Sequence, residues 1–273
     1  MGEADAGRPR AGDGLSGPAA LVRRVDPDRF LTALFAPPAQ REALMVLYAF
    51  NHELARAREA AREPTLALIR LHWWREVVEG ARRRHEVAEP LADAIARGEL
   101  AQADLMAMVD GREAETEADV PTLDVWLAYV RGTAGALAVA AGRLLGADDA
   151  SLERLALLGT AYGVAGQLRN VSALARQGRC LLPTDLLGAH GLTADAVVAR
   201  PDDARLAPVI ATLAGQGRAL LREAGGRFPR PALAAALPAV LARRDFARIG
   251  QPAAPRGLGD KAAVLAAFLM ARV

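Results

Sequence analysis

The sequence contains little cysteine, few aromatic residues and almost no lysine. Among its 273 residues Cys180 is the only cysteine, and aromatic side chains make up 4%. A single cysteine excludes a disulfide within the chain and is typical of a protein from a reducing compartment. Cys180 begins the apolar run Cys-Leu-Leu-Pro without a neighbouring histidine, so we do not expect it to act as a nucleophile.

Lysine is nearly absent as well, since Lys261 is the only one and the other basic residues are arginines. The formal net charge is only +2. We interpret the arginine excess as a composition bias that replaces lysine throughout the chain. No block of basic residues with interleaved aromatic residues occurs, so nucleic acid is not an expected partner.

Long hydrophobic runs are also missing. The first twenty residues are rich in Gly, Pro, Ala and Asp and lack the apolar centre of a signal peptide. No apolar run reaches the roughly 18 residues that cross a bilayer, because Arg131 and Pro238 interrupt the longest candidates. The sequence therefore predicts no signal peptide and no transmembrane helix. It predicts a disordered tail over residues 1–22 and one domain over residues 23–273, in a soluble, cytoplasmic protein.

Apolar residues, mostly Ala, Leu and Val, are abundant and make up 52% of the chain. They recur at helical spacing between breaks that contain Pro or Gly, and no strand pattern or convincing internal repeat appears. The predicted fold class is therefore an all-α bundle. The longer helices are expected over residues 26–36, 38–62, 65–84, 89–97, 101–117, 121–145, 151–175, 203–224, 231–246 and 259–272.

Two local patterns within these helices lead to further predictions. Three glycines lie among alanines and indicate the close approach of another helix; they are Gly132, Gly135 and Gly142. An acidic run is expected to be a solvated helix face, because carboxylates at every second residue of a helix point in different directions. Its members are Glu113, Glu115, Glu117 and Asp119.

Residues 44–59 form the helix around which the rest of the chain is organised. Its first half places five residues on one face, which we expect to turn inward; they are Leu44, Leu47, Tyr48, Asn51 and Ala55. Its end is basic, with Arg56, Arg58 and the nearby Arg62 around Glu59. Either this helix carries ligands into a pocket, or it is the scaffold of such a helix without its chemistry.

A second helix carries polar residues along an otherwise apolar stripe. Gly163, Gln167, Asn170 and Leu174 follow one another at steps of four, three and four residues. Two inward amides on one helix bond either to a neighbouring helix or to a ligand. The four histidines show no short metal-binding spacing, and the Gly-rich segment 159–163 lacks a phosphate-loop lysine.

Four short motifs occur in an order that resembles the squalene/phytoene synthase family. They are Leu-Tyr-Ala-Phe at 47–50, Trp-Trp-Arg-Glu at 73–76, Gly-Gln-Leu-Arg-Asn at 166–170 and Gly-Arg-Cys-Leu-Leu-Pro at 178–183. The resemblance covers residues 26–270. It implies the isoprenoid-synthase fold, a helical bundle around a central cavity.

In that family two facing helices carry Asp-rich motifs that hold Mg²⁺, and the ions bind prenyl diphosphates and draw off the leaving group. Here Ala55 and Arg56 stand where the resemblance places the first pair of aspartates, and only Glu59 keeps a carboxylate. Leu174 stands at an aspartate position of the second motif. The arginine also adds positive charge where cations would bind. We therefore expect no metal site and no cofactor; Mg²⁺ is expected only if the chain is a prenyl transferase.

The pattern Tyr-Ala-Phe-Asn-x-Glu-Leu-Ala, followed by Glu-Pro, Ile-Arg-Leu and Trp-Trp-Arg, resembles a non-catalytic branch of the family, the assembly factors of respiratory complex I. This resemblance implies an assembly or scaffold role. The implied partners are complex I subunits or assembly intermediates, an isoprenoid ligand, and the inner membrane as a peripheral contact.

Two alternatives stay open: a prenyl transferase that joins two prenyl diphosphates head to head, and a protein that binds an isoprenoid or diphosphate through arginines without metal. No catalytic residue is predicted. The degenerate motifs are Ala55, Arg56 and Glu59, then Gln167, Asn170 and Leu174. The candidate ligand-binding residues are Tyr48, Asn51, Glu53, Arg75, Gln167, Asn170 and Arg179.

Overall fold

The computed structural model describes residues 14–59, 63–117, 119–251 and 254–273, with Glu59 described only through its backbone. Within these residues the regular structure is helical, apart from one antiparallel bridge between Arg227 and Arg272. The predicted all-α fold class is confirmed. The α-helices are α1 Gly17–Val25, α2 Pro27–Ala33, α3 Pro38–Glu59, α4 Pro64–Val78, α5 Ala88–Ala96, α6 Gln102–Glu113, α7 Leu123–Val130, α8 Ala136–Leu144, α9 Asp149–Arg169, α10 Val171–Arg176, α11 Thr184–Ala189, α12 Ala194–Ala199, α13 Leu206–Ala224, α14 Leu233–Ala236, α15 Pro238–Ala247 and α16 Leu258–Met270.

Helix α9 lies at the centre of the bundle. It packs against α8, α13 and α15, and against a short π-helical segment, Arg131–Gly135, that joins α7 to α8. Helix α3 packs against α1, α4, α5 and α8. Leu44, Leu47 and Tyr48 of α3 are buried in the core, as their spacing predicted. The two helices singled out in the sequence are therefore core elements of the bundle.

The tail predicted over residues 1–22 is wrong for its last part, because α1 begins at Gly17. The Ser16 hydroxyl accepts a hydrogen bond from the Ala19 backbone N–H at 3.2 Å and caps the helix. Leu21 and Val22 are buried against the rest of the core. Apolar contact thus orders this segment, whereas residues 1–13 lie outside the described residues.

Helix α4 ends at Val78, about one and a half turns before the predicted end at residue 84. Gly80 adopts a φ of 113°, which favours glycine, and the Ala81 N–H closes the turn on the Glu76 carbonyl at 2.8 Å. The arginines after the turn bond to carboxylates instead, with Arg82 on Asp93 at 2.6 Å.

Glycines allow the helices around α9 to approach closely, as predicted. A Cβ added to Gly159 of α9 would lie 2.6 Å from the Ala134 carbonyl oxygen in the π-helical segment. A Cβ added to Gly111 of α6 would lie 2.2 Å from the Gly132 carbonyl oxygen. Such distances are below van der Waals contact, so backbone packs on backbone at both crossings.

The helical stretch Leu123–Leu144, which comprises α7, the π-helical segment and α8, is by length and composition apolar enough to cross a membrane. It is the one such stretch among the described residues, and 56% of its apolar window is buried inside the protein. It packs against α6 and α9. This burial is typical of a core helix, and length and composition alone are weak evidence for a membrane span.

The close approach of α6 to the π-helical segment predicts that Gly111→Ala lowers the free energy of unfolding by about 1–3 kcal/mol, since the methyl group has only backbone to displace. Chemical denaturation monitored by circular dichroism measures this change. Gly215→Ala is the matched control, because no atom lies within 4 Å of its added Cβ. In the middle of α13 it should stabilise the protein by about 0.5–1 kcal/mol. Equal effects of the two substitutions would contradict the packing described here.

Candidate functional site

A cavity of about 880 Å³ lies between α2, α3, α6, α7 and α9 and the segment that leads into α16. The cavity is lined by Asn51 of α3, by Gly163 and Gln167 of α9, and by Asn170, which follows α9. The structure thus brings the polar residues of both predicted stripes to one cavity. Asn170 is exposed at the end of α9, where the chain turns into α10. The prediction that both amides point into the core is therefore wrong for Asn170, because the helix ends one residue earlier.

One chain of polar contacts crosses this cavity from α3 to α9. The Arg112 guanidinium donates to Asn51 Oδ1 at 3.1 Å and to Glu115 Oε1 at 2.6 Å. The Tyr129 hydroxyl donates to the same carboxylate oxygen at 2.8 Å, and Gln167 Nε2 donates to that hydroxyl at 3.2 Å. The two amides predicted on separate helices are therefore linked through an arginine, a carboxylate and a tyrosine.

Glu115 is the residue in this chain that sequence reasoning missed. The acidic run was expected to be solvated, but Glu115 is 5% exposed. It sits in a 3₁₀ turn, Ala114–Thr116, that directly follows α6. This turn directs the carboxylate inward, onto Arg112 three residues earlier. An arginine at that spacing was the signal available in the sequence.

A second network lies at the α2 end of the cavity. The Arg256 guanidinium binds Asp28 with Nε at 3.0 Å and Nη2 at 2.7 Å, and binds Asp245 with Nη1 at 2.5 Å. Arg169 also contacts Asp245, at 3.3 Å. The Tyr162 hydroxyl donates to Asp28 at 3.2 Å. The α2, α9 and α15 helices are thus joined by paired charges.

Arg29 lies between the two networks, buried against aromatic rings. Its guanidinium carbon lies 4.8 Å from the ring centre of Tyr162 and 5.9 Å from that of Tyr48, within cation–π range. Burial disfavours the charged guanidinium, but the neighbouring Asp26 carboxylate at 2.7 Å outweighs it and raises the pKa of Arg29. Burial raises the pKa of Tyr48 well above its ordinary value. The predicted ligand-binding residue Tyr48 therefore stays a neutral phenol beside a charged arginine.

Each carboxylate that lines the cavity is neutralised by a guanidinium. Asp26 pairs with Arg29 and Asp28 with Arg256. Asp260 is also buried; burial opposes its ionised form, but hydrogen bonds from Arg248 and Arg244 dominate and hold the pKa of Asp260 well below its ordinary value. No group of three or more His, Cys, Asp or Glu within the described residues could hold a metal ion. This donor set does not fit Mg²⁺, which needs carboxylates that converge on one point without bound cations.

The first degenerate motif lies outside this cavity. Ala55 is half-buried on α3, and Arg56 donates to Glu53 at 3.2 Å. Glu53 and Arg56 line a separate groove of about 300 Å³ beside Trp73 and Trp74. The side chain of Glu59 lies outside the described residues. The cavity therefore has no contribution from Ala55 or Arg56.

The remaining predicted residues are divided between two other places. Arg75 contacts Asp110 and Glu113 of α6, each at 2.7 Å, and does not line the cavity. Arg179 and Leu174 lie against Gln167 on its other side, around a space of only about 10 Å³. The Nη2 atom of Arg179 is buried without a hydrogen-bond partner in the structure. Arg75 thus joins α4 to α6, and Arg179 holds a spare donor next to the cavity wall.

The fold and this cavity define an all-α protein of the isoprenoid-synthase type, with paired charges in its interior. A family model described as squalene/phytoene synthase matches residues 22–261. The chain belongs to the squalene/phytoene synthase family. A solved structure described as a dehydrosqualene synthase in complex with ligand has a TM-score of 0.75 and 15% identity, covering 93% of this chain and 94% of that one. The predicted isoprenoid-synthase fold is confirmed.

Two curated relatives come from different branches of the family. The chain is 28% identical over 213 residues to NADH dehydrogenase (ubiquinone) complex I, assembly factor 6, of Homo sapiens, which covers 75% of this chain and 63% of the relative. It is 32% identical over 184 residues to a 15-cis-phytoene synthase of Paracoccus sp. (strain N81106), covering 62% of this chain and 60% of the relative. The chain therefore spans less than two thirds of the length of either relative.

The network predicts that Glu115→Gln lowers the free energy of unfolding by about 3 kcal/mol, because it leaves the buried Arg112 guanidinium without its counter-charge. Thermal and denaturant unfolding measure this loss. Glu117→Gln is the matched control: Glu117 is exposed two residues later, and its substitution should change stability by less than about 0.5 kcal/mol. The double variant Arg112→Gln, Glu115→Gln should recover part of the loss, since no unpaired charge remains. A single variant as stable as the wild type would contradict the assigned ion pair.

Proposed function

We propose that the chain is a non-catalytic assembly or scaffold factor for respiratory complex I that works at a membrane face. The observation that carries this proposal is the pairing of every carboxylate lining the cavity with an arginine, Asp26 with Arg29, Asp28 with Arg256, and Asp260 with Arg244 and Arg248. The similarity to complex I assembly factor 6 of Homo sapiens and of Mus musculus supports the assembly role.

The chemistry of the cavity argues against prenyl transfer. Negative charge develops on the diphosphate as it departs, and metal ions or fixed hydrogen-bond donors must stabilise this charge in the transition state. Arg256 and Arg112, which could serve as fixed donors, are already bound to carboxylates at 2.5–3.0 Å and 2.6 Å. Releasing them would leave buried acids unpaired, at a cost of several kcal/mol each. We infer that the fold of a prenyl transferase is retained for shape and surface.

A deletion experiment tests the proposal. In the organism that encodes the chain, deletion of its gene should reduce assembled complex I in native gels and lower NADH:quinone oxidoreductase activity. The wild-type gene should restore both. The control is the level of the other respiratory complexes, which should not change. Normal complex I in the deletion strain would contradict the assembly role.

Incubation of the purified protein with farnesyl diphosphate and Mg²⁺ completes this test by addressing the prenyl transferase alternative. Similarity to a 15-cis-phytoene synthase and to a presqualene diphosphate synthase of Rhodopseudomonas palustris, the latter 30% identical over 167 residues, keeps that alternative in view. We expect no coupled product. Mg²⁺-dependent formation of a head-to-head product would overturn the proposed loss of catalysis.

A second candidate function, metal-free binding of an anionic ligand, is favoured by Arg179. Its Nη2 atom is buried and lacks a hydrogen-bond partner in the structure, and a guanidinium with a spare donor suits a phosphate oxygen. Gln167, which lines both the central cavity and the small space around Arg179, separates this donor from the cavity.

Calorimetric titration with inorganic pyrophosphate tests this candidate. If Arg179 binds phosphate, binding should persist in the presence of EDTA and weaken about tenfold in Arg179→Ala, since a charge-assisted hydrogen bond contributes about 1.5–3 kcal/mol. Arg75→Ala is the control, because Arg75 is held by Asp110 and Glu113 away from the cavity. Absence of binding, or binding that EDTA abolishes, would exclude metal-free recognition.

A further inference from the structure

The outer face of α16 is an apolar surface that the described residues leave exposed. Leu258, Leu265 and Leu269 are 85%, 47% and 63% exposed. They follow one another at steps of seven and four residues, so they lie along one side of the helix. Exposed alanines fill the gaps between them, at positions 262 and 266. We call this stripe, Leu258, Ala262, Leu265, Ala266 and Leu269, the α16 face.

The opposite side of α16 is what holds the helix to the bundle. Val264 and Ala267 are buried, and Asp260 in the first turn is bonded to Arg244 and Arg248 of α15. The helix is thus fixed in orientation by its inner side. Its apolar outer residues are therefore not a consequence of loose packing. Contiguous exposed apolar surface of this kind marks a protein or membrane interaction site.

Basic residues surround the α16 face and point to the kind of partner. Four exposed cations are involved, Arg227, Arg230, Lys261 and Arg272. None of them has a carboxylate partner among the described residues, whereas the one acid in segments 225–236 and 254–273, Asp260, is buried and already paired.

These cations lie at both ends of the helix and beside it. Lys261 is in the first turn, Arg272 follows the last turn and pairs through its backbone with Arg227, and the Arg230 guanidinium lies 6.0 Å from the ring centre of Phe268. An apolar stripe edged by unpaired cations is the pattern of a helix that lies in the interface of an anionic bilayer.

The mouth of the central cavity adjoins this surface. Lys261 of α16 and Leu34, which follows α2, both line the cavity. Leu34 is itself exposed, and the next residue, Phe35, packs on Phe268 of α16 with ring centres 4.7 Å apart. A partner bound to the α16 face would therefore lie beside the cavity mouth. A lipid bilayer is extended enough to cover both.

We propose that the α16 face docks on an anionic lipid bilayer, with its leucines in the acyl boundary and the four cations on lipid phosphates. This inference rests on the membrane contact included in the proposed function and names the surface that makes it. A second copy of the chain and a partner protein are the rival occupants, and the experiment separates them from lipid.

The test is co-sedimentation of the purified full chain with vesicles of phosphatidylcholine alone and of phosphatidylcholine mixed with phosphatidylglycerol. The wild type should bind the mixed vesicles and lose binding as salt is raised, because salt screens the cations. The double variant Leu265→Ser, Leu269→Ser should bind at least tenfold more weakly. Leu258→Ser, at a position that is 85% exposed and outside the core, should weaken binding in the same direction.

A second double variant provides the matched control. Leu66 and Ile69 of α4 are 48% and 59% exposed, close to the values for Leu265 and Leu269, but they lie on a different helix, where the nearby charges Glu63 and Arg70 have opposite signs. Leu66→Ser, Ile69→Ser should bind the mixed vesicles as the wild type does. Circular dichroism confirms that both double variants fold.

Three results would overturn the proposal: no binding of the wild type to mixed vesicles, equal loss in both double variants, or a wild-type dimer that Leu265→Ser, Leu269→Ser dissociates without lipid. The last result would assign the face to a second copy. Complex I assembly in a complemented deletion strain is a separate readout. If Leu265→Ser, Leu269→Ser loses both vesicle binding and complex I assembly, the docking surface is supported. If the wild-type protein binds no vesicles but complex I assembles normally, the docking surface is overturned and the proposed assembly function is not.

Discussion

The buried ion pair between Arg112 and Glu115 is the interaction on which the interior of the cavity depends. Both residues lie at the end of α6, yet their contacts reach Asn51 of α3 and, through the Tyr129 hydroxyl, Gln167 of α9. In a low-dielectric interior such a pair is strong only when every member has its partner. These contacts therefore join α6 to α3 and, through Tyr129 of α7, to α9.

The same principle explains why the carboxylates that line the cavity are not free to bind a metal ion. In a prenyl transferase, carboxylates are left free so that a divalent cation can complete the site and be recruited with the substrate. Here guanidinium groups of the chain itself neutralise the carboxylates, and Arg256 does so between Asp28 and Asp245. The interior is therefore charge-balanced before any ligand arrives.

The sequence predicted the elements of this arrangement better than its contacts. The all-α fold, the inward face of α3 and the close approach of glycine-lined helices follow from spacing, which determines which residues share a face. That Ala55 and Arg56 stand where the family carries aspartates stays an expectation from the resemblance. The role of Glu115 was not, because it depends on a 3₁₀ turn that changes the direction of the side chain after α6. The pairing of Asp28 with Arg256 joins residues 228 positions apart, and no local pattern reports such a contact. Asn170 was misplaced because one continuous helix was predicted over residues 151–175, whereas the chain turns at Asn170 between α9 and α10.

The glycines of α9 connect the packing of the bundle to the polar network. A Cβ added to Gly163 would lie 2.6 Å from Val130 Cγ1 and 2.6 Å from Ala134 Cβ, so a larger residue would push α9 away from α7 and the π-helical segment. Gln167 lies one turn further along α9, and it reaches the Tyr129 hydroxyl of α7 at 3.2 Å. A hydrogen bond at that distance weakens steeply if the helices separate. Small residues therefore do more than fill the crossing, since they set the spacing at which an amide on one helix and a phenol on the next can meet. Backbone contact and the Glu115 ion pair therefore hold this spacing together.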